Sequence, residues 1–157
     1  MAQLEARVKD CEEKIAELMR KEKTVVAFSA ATEFGGAFGP FDEDKTVVYN
    51  MPTTNISNAY NTSTGVFTAP VAGVYCFAFF FRAEGDNAAK LVLVKDGHKI
   101  VATSDDRCRN DTADNGGNAA IVELKKDSEV YVRLVAGTHV WAGGQYTTFS
   151  GFLLHQN

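Results

Sequence analysis

Four aspartates crowd into one polar stretch, "SDDRCRNDTADNGG": Asp105, Asp106, Asp111 and Asp114. Carboxylates at close quarters can act as the two catalytic groups of a glycosidase, or as oxygen ligands for a hard cation. Adjacent carboxylates on a polar loop are more often simply solvated. Nucleophilic catalysis needs a Ser or Cys beside a His that an acid orients. The three histidines, His98, His139 and His155, are scattered, and there is no G-x-S-x-G elbow. "FGGAFGPF" lacks the Lys-Ser/Thr ending of a phosphate-cradling loop. No enzyme is expected.

The cysteines, Cys11, Cys76 and Cys108, are three in number, and none forms a C-x-x-C pair, so a zinc site is not supported. An odd count points to an intermolecular bridge or a free thiol. Cys76 could pair with Cys108, although nothing in the sequence fixes that. Asn55-Ile56-Ser57, Asn61-Thr62-Ser63 and Asn110-Asp111-Thr112 are formal glycosylation sequons, and Asn61 and Asn110, in polar loops, are the acceptors expected of a secreted chain. Trp141, the single Trp, sits in "THVWAGGQY" beside a Gly pair, where it serves either as a recognition surface or as a core residue.

Two kinds of element must position these residues. Over 4–22, Leu4, Val8, Cys11, Ile15 and Leu18 step by four and three, a heptad seam. Glu5–Lys9, Asp10–Lys14 and Glu17–Lys21 each set an acid four residues before a base, adding roughly 0.2–0.5 kcal/mol per pair. With Val8 and Ile15 at a, Arg7 falls at g and Glu12 at e, so that parallel packing sets base against acid. From Thr24 onward the period becomes two, with short apolar segments between turn signals; Asp96-Gly97 marks a hairpin. The division expected is a coiled-coil oligomerisation helix over 1–23 and one globular all-β domain over 24–157. The first twenty residues hold no apolar leader segment. A net charge of −4 argues against nucleic acid, and no apolar run is long enough to insert in a membrane.

The segment "GVYCFAFFF" is apolar on both faces: Tyr75, Phe77, Phe79 and Phe81 on one, Cys76, Ala78 and Phe80 on the other. One face packs on the facing sheet, and the second needs cover from outside the sandwich.

Tyr49, Asn55, Tyr60, Phe67, Gly73, Tyr75, Phe77 and Phe79 keep the spacing of an aromatic-and-glycine signature, and "VAFSA" at 26–30 and "FSGFLL" at 149–154 extend it. The chain thereby resembles the C1q-like globular domain, with Tyr49 where Phe is usual. The resemblance covers about residues 25 to 155. It implies a ten-stranded antiparallel jelly roll related to tumour necrosis factor, preceded here by the short N-terminal helix and assembled as a homotrimer. Most signature residues are then core or contact residues, with Gly73 serving a turn into its strand. No cofactor is required. Calcium is possible, with Glu129 as the candidate ligand at a trimer axis and the 105–114 loop as a second place.

These features lead to the expectation of a secreted homotrimer that binds a protein or carbohydrate ligand multivalently, at a cell surface, a receptor or a microbe. The alternative is a matrix-assembly protein whose heads nucleate trimers and whose Cys11 links them into disulfide-bonded multimers. A carbohydrate hydrolase using Asp105 and Asp106 is the third reading.

Overall fold

A computed structural model describes residues 1–22, 24–108 and 113–157. It opens with helix α1, Ala2–Glu22, in which no residue is buried. Acidic Glu5 lies in the first turn and Arg20 and Lys21 in the last, both favourable to the helix dipole. Two of the expected pairs form, Lys14 to Asp10 at 2.8 Å and Lys21 to Glu17 at 3.5 Å. Thr24 ends the helix by donating its N–H to Lys21 O and its hydroxyl to Arg20 O, satisfying two carbonyls that have no intrahelical partner.

Twelve strands follow among the described residues. The first sheet runs β4 (Met51–Ile56), β1 (Ala27–Ala31), β12 (Thr148–Gln156), β6 (Gly73–Ala83), β9 (Asp114–Leu124). The second runs β3 (Lys45–Thr46), β10 (Glu129–Leu134), β7 (Ala89–Lys95), β8 (His98–Asp105), with β5 (Val66–Thr68) also on β10. These are ten strands in two antiparallel sheets, a jelly-roll sandwich. A two-residue ribbon, β2 (Ala37–Phe38) with β11 (Val140–Trp141), makes the remaining two. Asp96 and Gly97, with φ of 47° and 80°, turn β7 into β8 as the sequence predicts; both central residues of a type I′ turn need positive φ.

Strand β6 alternates buried and partly exposed residues along its length. Its inner face, Tyr75, Phe77, Phe79 and Phe81, joins Phe28, Tyr60, Phe67 and Phe149 in one core. Phe28 is at the centre of the rings, stacked on Tyr60 at 4.6 Å and edge-on to Phe149 at 4.9 Å. Phe77 lies between Phe67 and Phe149, at 5.2 and 6.0 Å. Such ring pairs add about 0.5–1.5 kcal/mol each beyond the area they bury.

The polar signature residues close this core at one end. The Tyr60 hydroxyl accepts from Tyr49 N–H at 2.9 Å and donates to Tyr49 O at 3.2 Å. Asn55 bonds both backbone groups of Tyr60, Nδ2 to O at 2.8 Å and Oδ1 from N–H at 3.3 Å, so its amide stands in for a neighbouring strand. Gly73 serves a close approach, not a turn. It already belongs to β6, and a Cβ there would lie 2.3 Å from His155 O and 2.9 Å from a Leu153 methyl.

Candidate functional site

The outer face of the first sheet is where the sequence leaves the most unexplained apolar surface. Register aligns it in three rows across all five strands. One row is Ile56, Ala27, Phe152, Cys76 and Ile121; the next is Thr54, Ser29, Ser150, Ala78 and Ala119; the third is Met51, Ala31, Thr148, Phe80 and Gly117. None of the three rows carries a charge. Charged side chains begin just beyond them on β6 and β9, at Arg82 and Glu123. The middle row is small, and Ser29 and Ser150 spend their hydroxyls on each other at 2.8 Å. The flanking rows are bulky: Ile121 is 69% exposed, Phe80 52% and Phe152 47%. A continuous uncharged patch of this kind is the candidate interaction surface.

The backbone sets the orientation of Phe80. A Cβ on Gly117, directly across from it on β9, would fall 2.2 Å from Phe80 Cδ1. The ring therefore lies flat over the glycine of the next strand. Gly116, one residue earlier, does the same on the inner face, where its missing Cβ leaves room for Phe81 at 2.6 Å. Paired glycines such as Gly116-Gly117 commonly mark a turn. Here they are strand residues whose absent side chains make space for two rings.

The helix seam, Leu4, Val8, Cys11, Ile15 and Leu18, is exposed throughout. Its lower end reaches the head: Leu18, Lys21, Glu22 and Thr24 share a cavity of about 470 Å³ with Leu153, Leu154, His155 and Gln156 of β12. Leu154, half exposed, extends the apolar face towards the seam.

The three cysteines are free. Cys76 sits in mid-strand, in the row with Phe152 and Ile121. Cys108 is exposed, and its N–H donates to Gly85 O at 3.1 Å, beyond the far end of β6. Nine residue steps of largely extended chain separate Cys76 from Gly85, on the order of 25–30 Å. A disulfide needs Cα atoms within about 7 Å. The two thiols of one chain do not pair.

Trp141 is half-buried on the small ribbon, where its carbonyl accepts from the Thr147 hydroxyl at 2.6 Å. The exposed rings at this end are its neighbours Tyr146 and Phe34. Arg82 lays its guanidinium over Tyr146, 4.7 Å from the ring centre, and Gly144 N–H donates to Glu33 Oε2 at 3.1 Å. Sequence reasoning passed over Phe34, which only the fold brings to this end.

Glu129 opens β10, on the second sheet, away from the uncharged rows. Its N–H donates to Asp96 Oδ1 at 2.8 Å, so the nearest carboxylate already caps the hairpin. Among the described residues, no group of three or more His, Cys, Asp and Glu is placed to hold a metal ion. In the aspartate stretch, Asp105 Oδ2 is shut off from solvent with no partner among the described residues, while Asp106 is exposed. Asp111 and Asn110 lie outside the described residues. His139 is buried, and its Nε2 accepts from Glu84 N–H at 3.2 Å, so the ring is committed to the fold. Asn55 is engaged with Tyr60, and Asn61 lies in the loop between β4 and β5.

Two antiparallel five-stranded sheets, with an aromatic core between them and an uncharged outer face on one, define the jelly-roll class shared by C1q heads and tumour necrosis factors. The chain belongs to the C1q family: the C1q domain matches residues 27–154. In fold it is similar to the globular domain of zebrafish complement 1qA protein, with a TM-score of 0.69 and 21% identity over 85% of this chain and all of that one. It is likewise similar to Eiger TNF from S. frugiperda, with a TM-score of 0.71 and 15% identity over 86% of this chain and 96% of that one. Similar curated proteins include Complement C1q and tumor necrosis factor-related protein 9 of Mus musculus, 32% identical over 88% of this chain and 40% of that protein. Complement C1q tumor necrosis factor-related protein 3 of Homo sapiens is 29% identical over 83% of this chain and 52% of that protein, and Caprin-2 of Danio rerio 29% identical over 84% and 14%. The chain thus spans about half, or much less, of the length of the curated relatives it matches. No helix among the described residues is long and apolar enough to cross a membrane.

Proposed function

We propose that this chain is a secreted, homotrimeric C1q-like protein that recognises a ligand multivalently and performs no catalysis. C1q/TNF-like domains are typically trimeric and ligand-binding. The observation that carries the reading here is the set of three uncharged rows on the first sheet. A cyclic trimer covers such a face with a second copy of the chain. The exposed heptad seam of α1, meeting the head at Leu154, continues that contact into a parallel coil in which Arg7 of one helix faces Glu12 of the next. Three heads held at fixed spacing turn weak single contacts into avidity. Under this arrangement Glu129, on the other sheet, stands outside the contact. Phe34, Trp141 and Tyr146 at one end of the head are offered as ligand-facing residues, with a protein or carbohydrate as the partner.

Cys11 supports one elaboration. An exposed free thiol on a self-associating seam can link chains, so the alternative role is a matrix-assembly protein built of cross-linked trimers. The solution mass of the full chain, by light scattering with and without reductant, tests both. Three chains per particle in reductant support the trimer, and larger particles without it support cross-linking. A monodisperse, folded monomer in reductant overturns the trimer.

A further inference from the structure

The sequence carries three glycosylation sequons, and the fold treats two of the asparagines in opposite ways. Asn55 uses its whole amide: Nδ2 donates to Tyr60 O at 2.8 Å and Oδ1 accepts from Tyr60 N–H at 3.3 Å. A sugar on that nitrogen would displace the donor that closes the aromatic core. Asn110 lies outside the described residues.

Asn61 is arranged differently. Its Oδ1 accepts from Ser63 N–H at 2.9 Å and from Thr64 N–H at 3.2 Å, an Asx turn. The carbonyl end of the amide is therefore held inward. Nδ2, the nitrogen that would be modified, makes no hydrogen bond among the described residues, and the residue is exposed. The same turn places Ser63, the hydroxyl residue of the sequon, against that amide. The loop is braced further by Asn61 N–H to Val66 O and Gly65 N–H to Asn61 O, each at 2.9 Å, and by Val66 N–H to the Thr64 hydroxyl at 3.4 Å. Gly65, at φ 78°, sits where a Cβ would strike Val47 O at 2.4 Å, which fixes the loop against the domain. None of these bonds uses Nδ2, so a substituent there breaks nothing.

The position also suits the assembled protein. Val66, which pairs with the Asn61 backbone, opens β5 on the second sheet, and Asn61 lies outside the three uncharged rows of the first. A glycan at this point leaves the proposed contact face open.

We infer that Asn61 is an N-glycosylation site; the inference rests on the secreted reading above. The donor class is an oligosaccharide carried on a polyprenyl diphosphate. The Asn61 nitrogen forms a bond to C1 of the first sugar, the bond from C1 to the diphosphate oxygen breaks, the polyprenyl diphosphate departs, and the nitrogen gives up one proton.

The experiment expresses the full chain behind a secretory leader in eukaryotic cells and maps its peptides by mass spectrometry before and after peptide N-glycosidase. The expected result is a glycan on the peptide holding Asn61 and Asp in place of Asn61 after the enzyme. The corresponding gel shift is lost in both Asn61→Gln and Ser63→Ala; the second variant keeps the asparagine and guards against a folding effect of the first. Secreted, folded chain with Asn61 unmodified overturns the inference, as does a glycan found only at Asn55 or Asn110. The secretion reading fails separately: native protein retained inside cells, beside leader-borne chain modified at Asn61, overturns that reading alone.

Discussion

Replacing Phe80 by Ala is the most direct challenge to the uncharged face. Phe80 is 52% exposed in the isolated chain. A phenylalanine carries roughly 200 Å² of coverable surface, so about 100 Å² remains to be buried by a neighbour. At about 25 cal/mol per Å², that is about 2.5 kcal/mol per chain and about 7–8 kcal/mol for a trimer, or about five orders of magnitude in its dissociation constant. The half of the ring already covered in the isolated chain lies in part over Gly117, so the monomer is weakened too, and that loss is read separately from the loss of assembly. Sedimentation equilibrium over a dilution series reads the dissociation constant, and a denaturant titration reads the fold of the monomer. The expected outcome is dissociation at much higher concentration with the monomer folded. A variant that dissociates at the same concentration as the parent refutes the argument, since Phe80 would then have no neighbour covering it.

Three further predictions concern the tyrosines at the closed end of the core. Tyr60→Phe leaves both backbone groups of Tyr49 without their partner and is expected to cost about 1–3 kcal/mol in a denaturant titration. Burial pushes the Tyr60 phenol up to about 12, against about 10 in an unfolded chain, so its contribution is whole below pH 10 and declines, by about 3 kcal/mol, as pH rises to 12; an unchanged alkaline unfolding profile in Tyr60→Phe contradicts this. Tyr49→Phe works the other way. The Tyr49 hydroxyl is buried with no partner among the described residues, so removing it is expected to stabilise the fold by about 1 kcal/mol, and a lower midpoint would show that the hydroxyl is satisfied after all.

Much of the architecture could be read because local chemistry and global fold agree. The helix seam, the Asp96-Gly97 turn and the two-faced alternation of 73–81 are short-range signals, and each element forms where its pattern lies. Strand β4, with Pro52 and polar residues, gave no apolar run. It is the edge of its sheet, where a missing N–H and an exposed flank are tolerated. Gly73, Gly116 and Gly117 look like turn residues, yet each is explained by what approaches it across the sheet: His155 O, Phe81 and Phe80. A glycine's reason is then a distance between strands, and no local window contains it.

The candidate site was legible by half for the same cause. In sequence 73–81 is apolar on both faces, and the chain's own second sheet covers only one of them. Phe80, Ile121 and Phe152 are far apart in sequence and become one surface only through the register of β12, β6 and β9. The neutrality of the rows is likewise a property of pairing, since charged residues are frequent in the chain and stop short of these positions. Fifteen uncharged positions drawn from five strands are not what a face that meets water needs. They suit the self-contact proposed above, as does the exposed seam of α1, which arrives at the same edge of the head.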